Sequence, residues 1–311
     1  MSKVNRNEPK LAGGSEATFT RFQFDAMFLD DAACLDWLFK RRYPDGVYCP
    51  KCKAITKHYR DKSRPSYSCH CGHHVHPMQG TIFQDSATSL RLWFLAIFLM
   101  ATTRCGIAAK HLERELGVTY KCAWRMFKQI RSMLDENAMA LLGEIEVDES
   151  FFGGKDENRH LSKRRSYAGR YDKTSVFGMV QRGGNVIAQV IPSPPRSSDI
   201  LPHIRRKVMP KSTIFSDEAR FYDPLKLMGY GHERVQHTNQ VYVRGNAHVN
   251  TLESFWSLAK RGIDGNHHVC GENYLQHYLN AYAFRWNHRR DDRAMFWAML
   301  DQIPSAPKLD V

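Results

Sequence analysis

The stretch at residues 144–154 reads EIEVDESFFGG and decides the fold class of the second half of the chain. Apolar residues alternate with acids, as they do in a strand that has one buried face. Glu144, Glu146 and Asp148 therefore share one face of this strand, and Asp148 is expected at its end. The stretch predicts a strand that carries a carboxylate toward a candidate site.

Further strand-like runs follow this first one along the chain. TSVFGMVQRG (174–183) and NVIAQVIPS (185–193) alternate in the same way, and the glycines between them predict a tight hairpin. After a helical segment, STIFSDEA (212–219) again ends in an acid, Asp217. Two strands are thus expected to present an acid at the same edge of a sheet.

A third acid comes from a helix, in HVNTLESFWSLAKRGI at residues 248–263. Helical spacing places Asn250, Glu253 and Lys260 along one stripe, which can face the strand ends. The order strand-acid, hairpin, helix, strand-acid, helix-acid predicts a ribonuclease-H-like unit with a five-stranded mixed sheet. Each acid alone also suits a turn or a helix cap, and Glu253 also suits an exposed ion pair with Lys260 or Arg261.

Convergent carboxylates of this kind suit two hard divalent cations about 4 Å apart, which serve phosphodiester chemistry. The cations activate a water or a 3′-hydroxyl and stabilise the leaving oxygen. Lys260 is a candidate contact to a phosphate near the reacting centre.

A cysteine-rich segment at residues 47–76 resembles a zinc ribbon in its spacing. Its two pairs are C-x-x-C and C-x-C, and they supply four thiols: Cys49, Cys52, Cys69 and Cys71. Because the second pair is shorter than usual, His70, His73 or His74 remains an alternative fourth ligand. The other interpretation is four buried thiols, but so few large aliphatic residues do not build a core without a metal. The site is predicted to hold structural zinc.

Charge and hydropathy restrict the partner and the compartment. The chain carries a net charge of +13, with a pI near 9.4, which favours a polyanion such as nucleic acid, with an anionic membrane as the rival. Residues 1–18 lack the apolar segment that a signal peptide needs. Residues 22–46 are expected to contain a short helix that Pro44 and Gly46 end. The apolar run at 90–101 contains Arg91 and is too short to cross a bilayer. A core helix and a cytoplasmic location are predicted.

Residues 106–134 have the sequence pattern of a helix-turn-helix, in which Gly117 separates two amphipathic segments. The second helix is expected to expose residues suited to phosphate and base contacts: Thr119, Tyr120, Lys121 and Arg125. An ordinary helical hairpin with a basic face is the alternative.

Two other segments are basic. The stretch at 158–173, which includes Lys163, Arg164 and Arg165, is interpreted as a loop that orders on DNA or as a solvated insertion. At residues 278–293 aromatic residues recur every fourth position, which favours core packing, with Arg285, Arg289 and Arg290 exposed.

These motifs resemble the bacterial insertion-sequence DDE transposases, particularly the ISXO-like group. The resemblance spans residues 24–290 and rests on the following matches in order: CPKC with CHC, VDESFFGGK, VFGMVQRGG, FSDEAR, HVNTLESFWSLAKRG and LNAYAFRWNHRR. Members combine a zinc ribbon, a helical DNA-binding segment and a ribonuclease-H-like catalytic domain.

The resemblance implies Asp148 and Asp217 as the first two ligands of Mg²⁺ or Mn²⁺, with two ions bound. Glu253 and Asn250 compete for the third place, and Glu253 is favoured because a carboxylate binds Mg²⁺ better than an amide. It further implies binding to terminal inverted repeats, cleavage, transfer of 3′ ends to target DNA and a homo-oligomer at the bacterial nucleoid. The rivals are a DNA-binding regulator without activity and a nuclease without strand transfer.

The predicted fold class is therefore α+β multidomain. Its parts are an N-terminal tail and short helix at 1–45, a zinc ribbon at 46–80, a helix-turn-helix segment at 85–138 and the DDE catalytic domain at 142–295.

Overall fold

The computed structural model of the chain describes residues 19–103, 105–136, 139–154, 160, 162, 173–234, 250–267 and 270–305. These residues form two compact units. The N-terminal unit holds residues 19–103, 109–133 and 288–305. The sheet unit holds residues 105–108 and the described part of 134–287.

Both units contain helices and strands. The helices of the described residues are α1 (Arg21–Met27), α2 (Asp31–Arg42), α3 (Leu90–Thr102), α4 (Ala109–Leu116), α5 (Tyr120–Ser132), α6 (Ser197–Lys207), α7 (Asn250–Gly262), α8 (Glu272–Asn287) and α9 (Met295–Asp301). The strands are β1 (Val47–Cys49), β2 (Ala54–Thr56), β3 (Tyr59–Arg60), β4 (Tyr67–Ser68), β5 (His74–Val75), β6 (Glu144–Phe152), β7 (Thr174–Gln181), β8 (Val186–Ile191), β9 (Thr213–Ser216) and β10 (Gly231–Arg234). Arg220–Leu225 and Ile303–Ser305 form 3₁₀ turns, and Ile263–His267 forms a π turn.

The N-terminal segment corrects one expectation, because it contains two helices instead of one. Helix α1 ends at Met27, because the backbone of the next residue, Phe28, leaves the helical region. Asp30 then starts α2, since its carboxylate accepts a hydrogen bond of 2.8 Å from the backbone N–H of Ala33. An acid at this position satisfies an N–H group that the helix itself leaves unpaired.

The ribbon consists of two small antiparallel sheets. Strands β1 and β2 form a hairpin, and β3, β4 and β5 form a three-stranded sheet in that order. The exposed Tyr48 and Ile55 face each other across the hairpin. Such short strands bury little apolar surface, as the composition of the segment indicates.

Helix α3 is the buried helix that its apolar sequence predicts, with Trp93, Phe94 and Ile97 fully buried. Among the described residues, a helix with the length and hydropathy needed to cross a membrane is not found. Gly117, with a φ of +64°, follows α4 and redirects the chain into α5. Glycine accepts this left-handed conformation without the steric cost that other residues meet.

The sheet unit is built on a five-stranded mixed sheet with the strand order β10-β9-β6-β7-β8. Strands β6, β7 and β8 are antiparallel neighbours, whereas β9 is parallel to β6 and β10 is parallel to β9. The predicted hairpin turn is present, because Gly184 N–H donates to the carbonyl of Gln181 between β7 and β8. This order and these directions confirm the predicted ribonuclease-H-like class.

The two faces of the sheet differ in what they bury. One face packs Ile145 and Val147 of β6 with Ile200 and Ile204 of α6 in an apolar core. The alternate residues of β6 turn to the other face, where α7 packs. Glu146 and Asp148 therefore meet α7, as the alternation of the strand requires.

Helix α8 covers the edge strand β8 with polar contacts. The Gln276 side chain accepts from the N–H of Val190 at 2.8 Å and donates to the carbonyl of Ala188 at 2.9 Å. Tyr278 and Tyr282 are buried, as predicted for this aromatic repeat. Arg290 is exposed as expected, whereas Arg285 and Arg289 are half-buried. Burial lowers the pKa of the Arg285 guanidinium to about 10.

Candidate catalytic and zinc sites

Asp148 and Asp217 lie together at the edge where β6 and β9 stop pairing. The parallel register runs from Glu144 opposite Thr213 to Glu146 opposite Phe215, so both acids come two residues after the last pair. Each offers a carboxylate oxygen, and these oxygens lie within 4.8 Å of each other. Asp148 is not at the end of its strand, as had been expected, because β6 continues along β7 to Phe152.

Glu149 joins these two acids, with an oxygen also within 4.8 Å of theirs. The side chain is buried and accepts a short hydrogen bond from the hydroxyl of Tyr222, which is fully buried. Burial, and next the charge of Glu149, raise the pKa of the Tyr222 hydroxyl. Sequence reasoning missed Glu149 because strand alternation assigns adjacent residues to opposite faces. A second acid directly after Asp148 was the available signal.

The carboxyl group of Asp148 has a pKa raised to about 6. Burial is the largest cause, and the charge of Asp217 is the next. The hydrogen bond from Trp256 acts in the opposite direction, and the charge of Glu253 adds to the increase. Burial and the neighbouring acids thus disfavour the ionised form of Asp148, and a cation bound beside it would offset this negative charge.

Helix α7 carries the remaining predicted site residues on its exposed side: Asn250, Glu253 and Lys260. The negative charge of Glu253 helps to raise the pKa of Asp148. Glu253 is nevertheless outside the compact acidic cluster that the described residues form, which comprises Asp148, Glu149 and Asp217. The ammonium nitrogen of Lys260 lies 5.7 Å from the ring centroid of Phe152, near the end of β6.

Glu146, two residues before Asp148, is fully buried and faces α7. One carboxylate oxygen accepts from the backbone N–H groups of Thr251 and Leu252 at 2.9 and 3.1 Å. The other accepts from the Thr251 hydroxyl at 2.9 Å and from the Arg182 guanidinium at 3.0 Å. Sequence reasoning placed Glu146 on the correct strand face without assigning it a partner.

The four ribbon cysteines converge as their spacing predicts. The Sγ atoms of Cys49 and Cys71 are 3.4 Å apart, and those of Cys52 and Cys69 are 3.8 Å apart. A tetrahedral zinc site with Zn–S bonds of about 2.3 Å separates its sulfurs by about 3.8 Å. The four thiols therefore fit a zinc ion.

The backbone of the ribbon also prepares this site. The backbone N–H of Cys71 and then the hydroxyl of Thr56 lower the pKa of the Cys69 thiol to about 5. Lys53 and Gly72, which follow the two cysteine pairs, have φ values of +55° and +78°. Such turns direct backbone N–H groups toward the sulfurs, which favours thiolates as metal ligands.

The histidines that compete with Cys71 have other neighbours. His73 Nδ1 lies 3.1 Å from Nε2 of the buried His58, whose Nδ1 lies 3.0 Å from the carbonyl oxygen of Thr56. His70 Nδ1 is 3.7 Å from the Cys69 sulfur, a weak contact at the edge of the cluster. The grouping of four sulfurs makes Cys71 the better candidate for the fourth ligand.

The predicted DNA-contact residues of α5 differ in their exposure. Lys121 is exposed next to Tyr120, on the first turn of the helix. Arg125 is half-buried instead, because it donates to the hydroxyls of Ser86 and Thr88 at 3.2 and 3.3 Å. The predicted contacts Lys163, Arg164 and Arg165 lie outside the described residues.

The sheet order and the acids at its edge define a chain with a DDE-type transposase domain, joined to a zinc ribbon. Family models agree, since an ISXO2-like transposase domain matches residues 140–287 and a transposase zinc-ribbon domain matches residues 29–74. An uncharacterized protein in transposable element ISH50 of Halobacterium salinarum is 30% identical over 272 residues, which cover 83% of this chain and 91% of that protein. The chain therefore belongs to the ISXO2-like transposase family, and the resemblance found in its sequence is confirmed.

Other relatives match less of the chain. An uncharacterized transposase-like protein of Haemophilus influenzae is 30% identical over 92 residues, which cover 30% of this chain and 73% of that protein. Among solved structures, the Mos1 strand transfer complex aligns over 68% of this chain and 75% of that chain, with 10% identity and a TM-score of 0.27. The pre-cleavage Mos1 transpososome aligns over 68% and 76%, again with 10% identity and a TM-score of 0.27.

Proposed function

We propose that this transposase binds the terminal inverted repeats of its own element, cleaves at the 3′ ends and transfers the freed 3′-hydroxyls to target DNA. The observation that carries the proposal is the convergence of Asp148 and Asp217, whose carboxylate oxygens lie within 4.8 Å of each other. The raised pKa of Asp148 supports it, because this acid is held where a cation would offset the crowded negative charge.

The acidic cluster suits hard divalent cations, which prefer carboxylate oxygens. Two bound Mg²⁺ or Mn²⁺ ions would supply an activated oxygen nucleophile and stabilise the leaving 3′-oxygen. Asp148 and Asp217 would hold the ions at the edge of the sheet, while the Trp256 indole N–H, 3.1 Å from Asp148 Oδ2, orients one carboxylate. Lys260, exposed on α7, is proposed to contact a DNA phosphate.

The third ligand is proposed to come from the start of α7. Glu253 is favoured over Asn250 because its charge reaches Asp148 and because carboxylates bind Mg²⁺ better than amides. Both side chains are exposed on the same helix, so each remains able to turn toward the acids. We propose Glu253 as the ligand, with Asn250 as the alternative that the experiment below tests.

We further propose that Cys49, Cys52, Cys69 and Cys71 hold one structural zinc ion. Four thiolates complete a tetrahedral shell, which leaves a structural site closed to substrate. The role of this zinc is to hold the ribbon folded, because the short strands of the segment bury too little apolar surface to do so.

Double-stranded DNA is the proposed partner, at the element ends and at the target. The net charge of +13 favours a polyanion, and Lys121 on α5 is an exposed candidate for phosphate contact. Arg125 is proposed to support the same helix through Ser86 and Thr88, and the stretch with Lys163, Arg164 and Arg165 to contact DNA as well. A homo-oligomer is proposed to hold two ends together at the bacterial nucleoid, in the cytoplasm.

The experiment is strand transfer of labelled element ends into plasmid DNA with Mg²⁺. The native protein is compared with Asp148→Ala, Asp217→Ala, Glu253→Ala and Asn250→Ala, and Glu272→Ala on α8 is the control for removal of an exposed helical acid. We expect joining by the native protein and the control, and its loss in the first three variants with DNA binding retained.

The alternative outcomes assign other functions. Loss of joining in Asn250→Ala but not in Glu253→Ala would make Asn250 the third ligand. Cleavage without joining would indicate a nuclease, since the same cations serve water and hydroxyl nucleophiles. Binding of ends with neither cleavage nor joining, in Mg²⁺ and in Mn²⁺, would indicate a regulator.

A further inference from the structure

Glu146 and Asp148 attach the same helix to the same strand at two points. Glu146 accepts the N–H groups of Thr251 and Leu252, and Asp148 accepts the indole N–H of Trp256 at 3.1 Å. Two residues along a strand advance about 6.7 Å. The four or five helical residues from 251–252 to 256 advance about 6 to 7.5 Å. The distance along the strand thus matches the distance along the helix. The two contacts therefore fix the position of α7 along β6.

Both candidates for the third ligand are adjacent to the residues that Glu146 holds. Asn250 precedes Thr251, and Glu253 follows Leu252. The carboxylate of Glu146 therefore restrains the helix at the turn from which either candidate must reach the cluster. Glu146 also satisfies two N–H groups that the first turn of a helix leaves unpaired, and its charge is favourable there.

Arg182 completes this arrangement on the other side of Glu146. Its guanidinium donates to Glu146 at 3.0 Å and lies 3.9 Å from the ring centroid of Phe215, which belongs to β9. A buried carboxylate is costly unless it is paired and fully hydrogen-bonded, and Arg182 supplies the charge that Glu146 needs. Strand β9, which leads to Asp217, is thereby in contact with the guanidinium that pairs with Glu146.

We infer that Glu146 is a positioning residue, which sets the register of α7 against β6 so that the third ligand can reach Asp148 and Asp217. The inference rests on the proposed function, because it concerns the cation site of that function. Glu146 does not itself belong to the cluster of Asp148, Glu149 and Asp217 found among the described residues. It acts through the backbone of α7.

The test measures Mn²⁺ binding to the zinc-loaded protein, by the electron paramagnetic resonance signal of free Mn²⁺, with amide hydrogen exchange at Thr251 and Leu252 as a second readout. Glu146→Gln replaces one acceptor oxygen with an NH₂ group, which opposes two of the four donors. We expect Mn²⁺ affinity to fall about 10- to 100-fold, as when groups behind metal ligands are removed. Exchange at the two amides should accelerate.

The matched control is Glu144→Gln. Glu144 lies on the same strand face and contacts the same arginine at 3.3 Å, but it is half-exposed. The substitution removes the same charge, and we expect affinity within about twofold of native and unchanged exchange at both amides. Asp148→Asn is the variant in which the cation site itself is removed.

The outcomes separate the inference from the proposed function. Equal Mn²⁺ binding by the native protein and Asp148→Asn would overturn the proposed cation site and the inference with it. Weak binding by Asp148→Asn together with native binding and native exchange in Glu146→Gln would overturn the inference alone. If Glu146→Gln does not fold, Glu146→Asp decides, since it keeps the charge but shortens the side chain by one methylene group and so withdraws the carboxylate from the N–H groups of Thr251 and Leu252. Native binding and exchange in Glu146→Asp would then overturn the inference.

Discussion

The indole Nε1 of Trp256 donates a hydrogen bond of 3.1 Å to Oδ2 of Asp148, across the interface of α7 and β6. Gly178 makes this contact possible, because it lies opposite Asp148 in the β6–β7 register. A Cβ atom at Gly178 would stand 2.4 Å from Cζ2 of Trp256. The glycine thus leaves the space in which the indole reaches the acid.

Trp256→Phe should move the pH dependence of cation binding to higher pH. The indole hydrogen bond lowers the pKa of Asp148, so its removal raises a pKa that is already about 6. Cation binding needs the ionised acid, and we expect the midpoint of Mn²⁺ binding to rise by up to about one pH unit. Trp297→Phe, in the other unit, is the control. An unchanged midpoint, or an equal shift in the control, would contradict the role of this hydrogen bond.

Gly178→Ala should destabilise the sheet unit and weaken cation binding together. The added methyl group overlaps the indole ring and forces Trp256 or the strand to move, which costs about 1 to 3 kcal/mol. Gly154→Ala is the matched control, because a Cβ there meets open space. Urea denaturation measures the free energy of unfolding. Equal stability of the two variants would show that the Trp256 side chain moves aside without destabilising the protein.

Asp148→Asn should stabilise the protein in buffer without divalent cations at pH 8. The pKa of Asp148 in the folded protein, about 6, exceeds its ordinary value of 3.8, so the folded state binds this proton more tightly than the unfolded state. The stability that this provides is present below about pH 4 and is lost as the pH rises through about 6. One pKa unit corresponds to about 1.4 kcal/mol, so the gain of the variant at pH 8 is at most about 3 kcal/mol.

Denaturation at pH 4 and at pH 8 measures this gain in Asp148→Asn, with the exposed Asp264→Asn as the control. The advantage over the native protein should be largest at pH 8 and should shrink toward pH 4. An advantage that is independent of pH would mean that packing, not ionisation, distinguishes the variant.

Zinc content should distinguish Cys71 from His73 as the fourth ligand. The native protein is expected to bind one zinc ion per chain, and Cys71→Ser to lose it together with the fold of the ribbon. His73→Gln should keep the zinc, since His73 contacts His58. Atomic absorption after gel filtration gives the content, with Cys105→Ser as the control for loss of an exposed thiol. Zinc loss in His73→Gln alone would reassign the ligand.

Lys121→Ala should weaken DNA binding about equally for element ends and unrelated DNA. A lysine that contacts a phosphate releases about one counterion, so the salt dependence of binding should decrease by about one in log–log slope. Lys40→Ala, on the exposed side of α2, is the control for loss of one positive charge. A loss confined to the element ends would instead indicate that Lys121 reads bases.

Local patterns in the sequence were sufficient for the architecture and for most of the candidate site. The cysteine pairs, the strand that contains Asp148, the strand that leads to Asp217 and the glycine after α4 each depend on neighbours within a few residues. Periodicity and turn chemistry act over that distance, so the sequence alone indicates the element and its exposed face. The sheet order then followed from the sequence of elements.

The tertiary structure alone decided which of these residues are partners. Glu146 contacts Thr251 more than a hundred residues away, Glu149 meets Tyr222, and Arg125 turns from the expected exposed face to Ser86. A buried charge must find compensation wherever the packed elements offer it, and that choice depends on distant chain segments. Sequence by itself determined which acids and thiols the chain carries to its sites, and packing determined which other side chains hold them there.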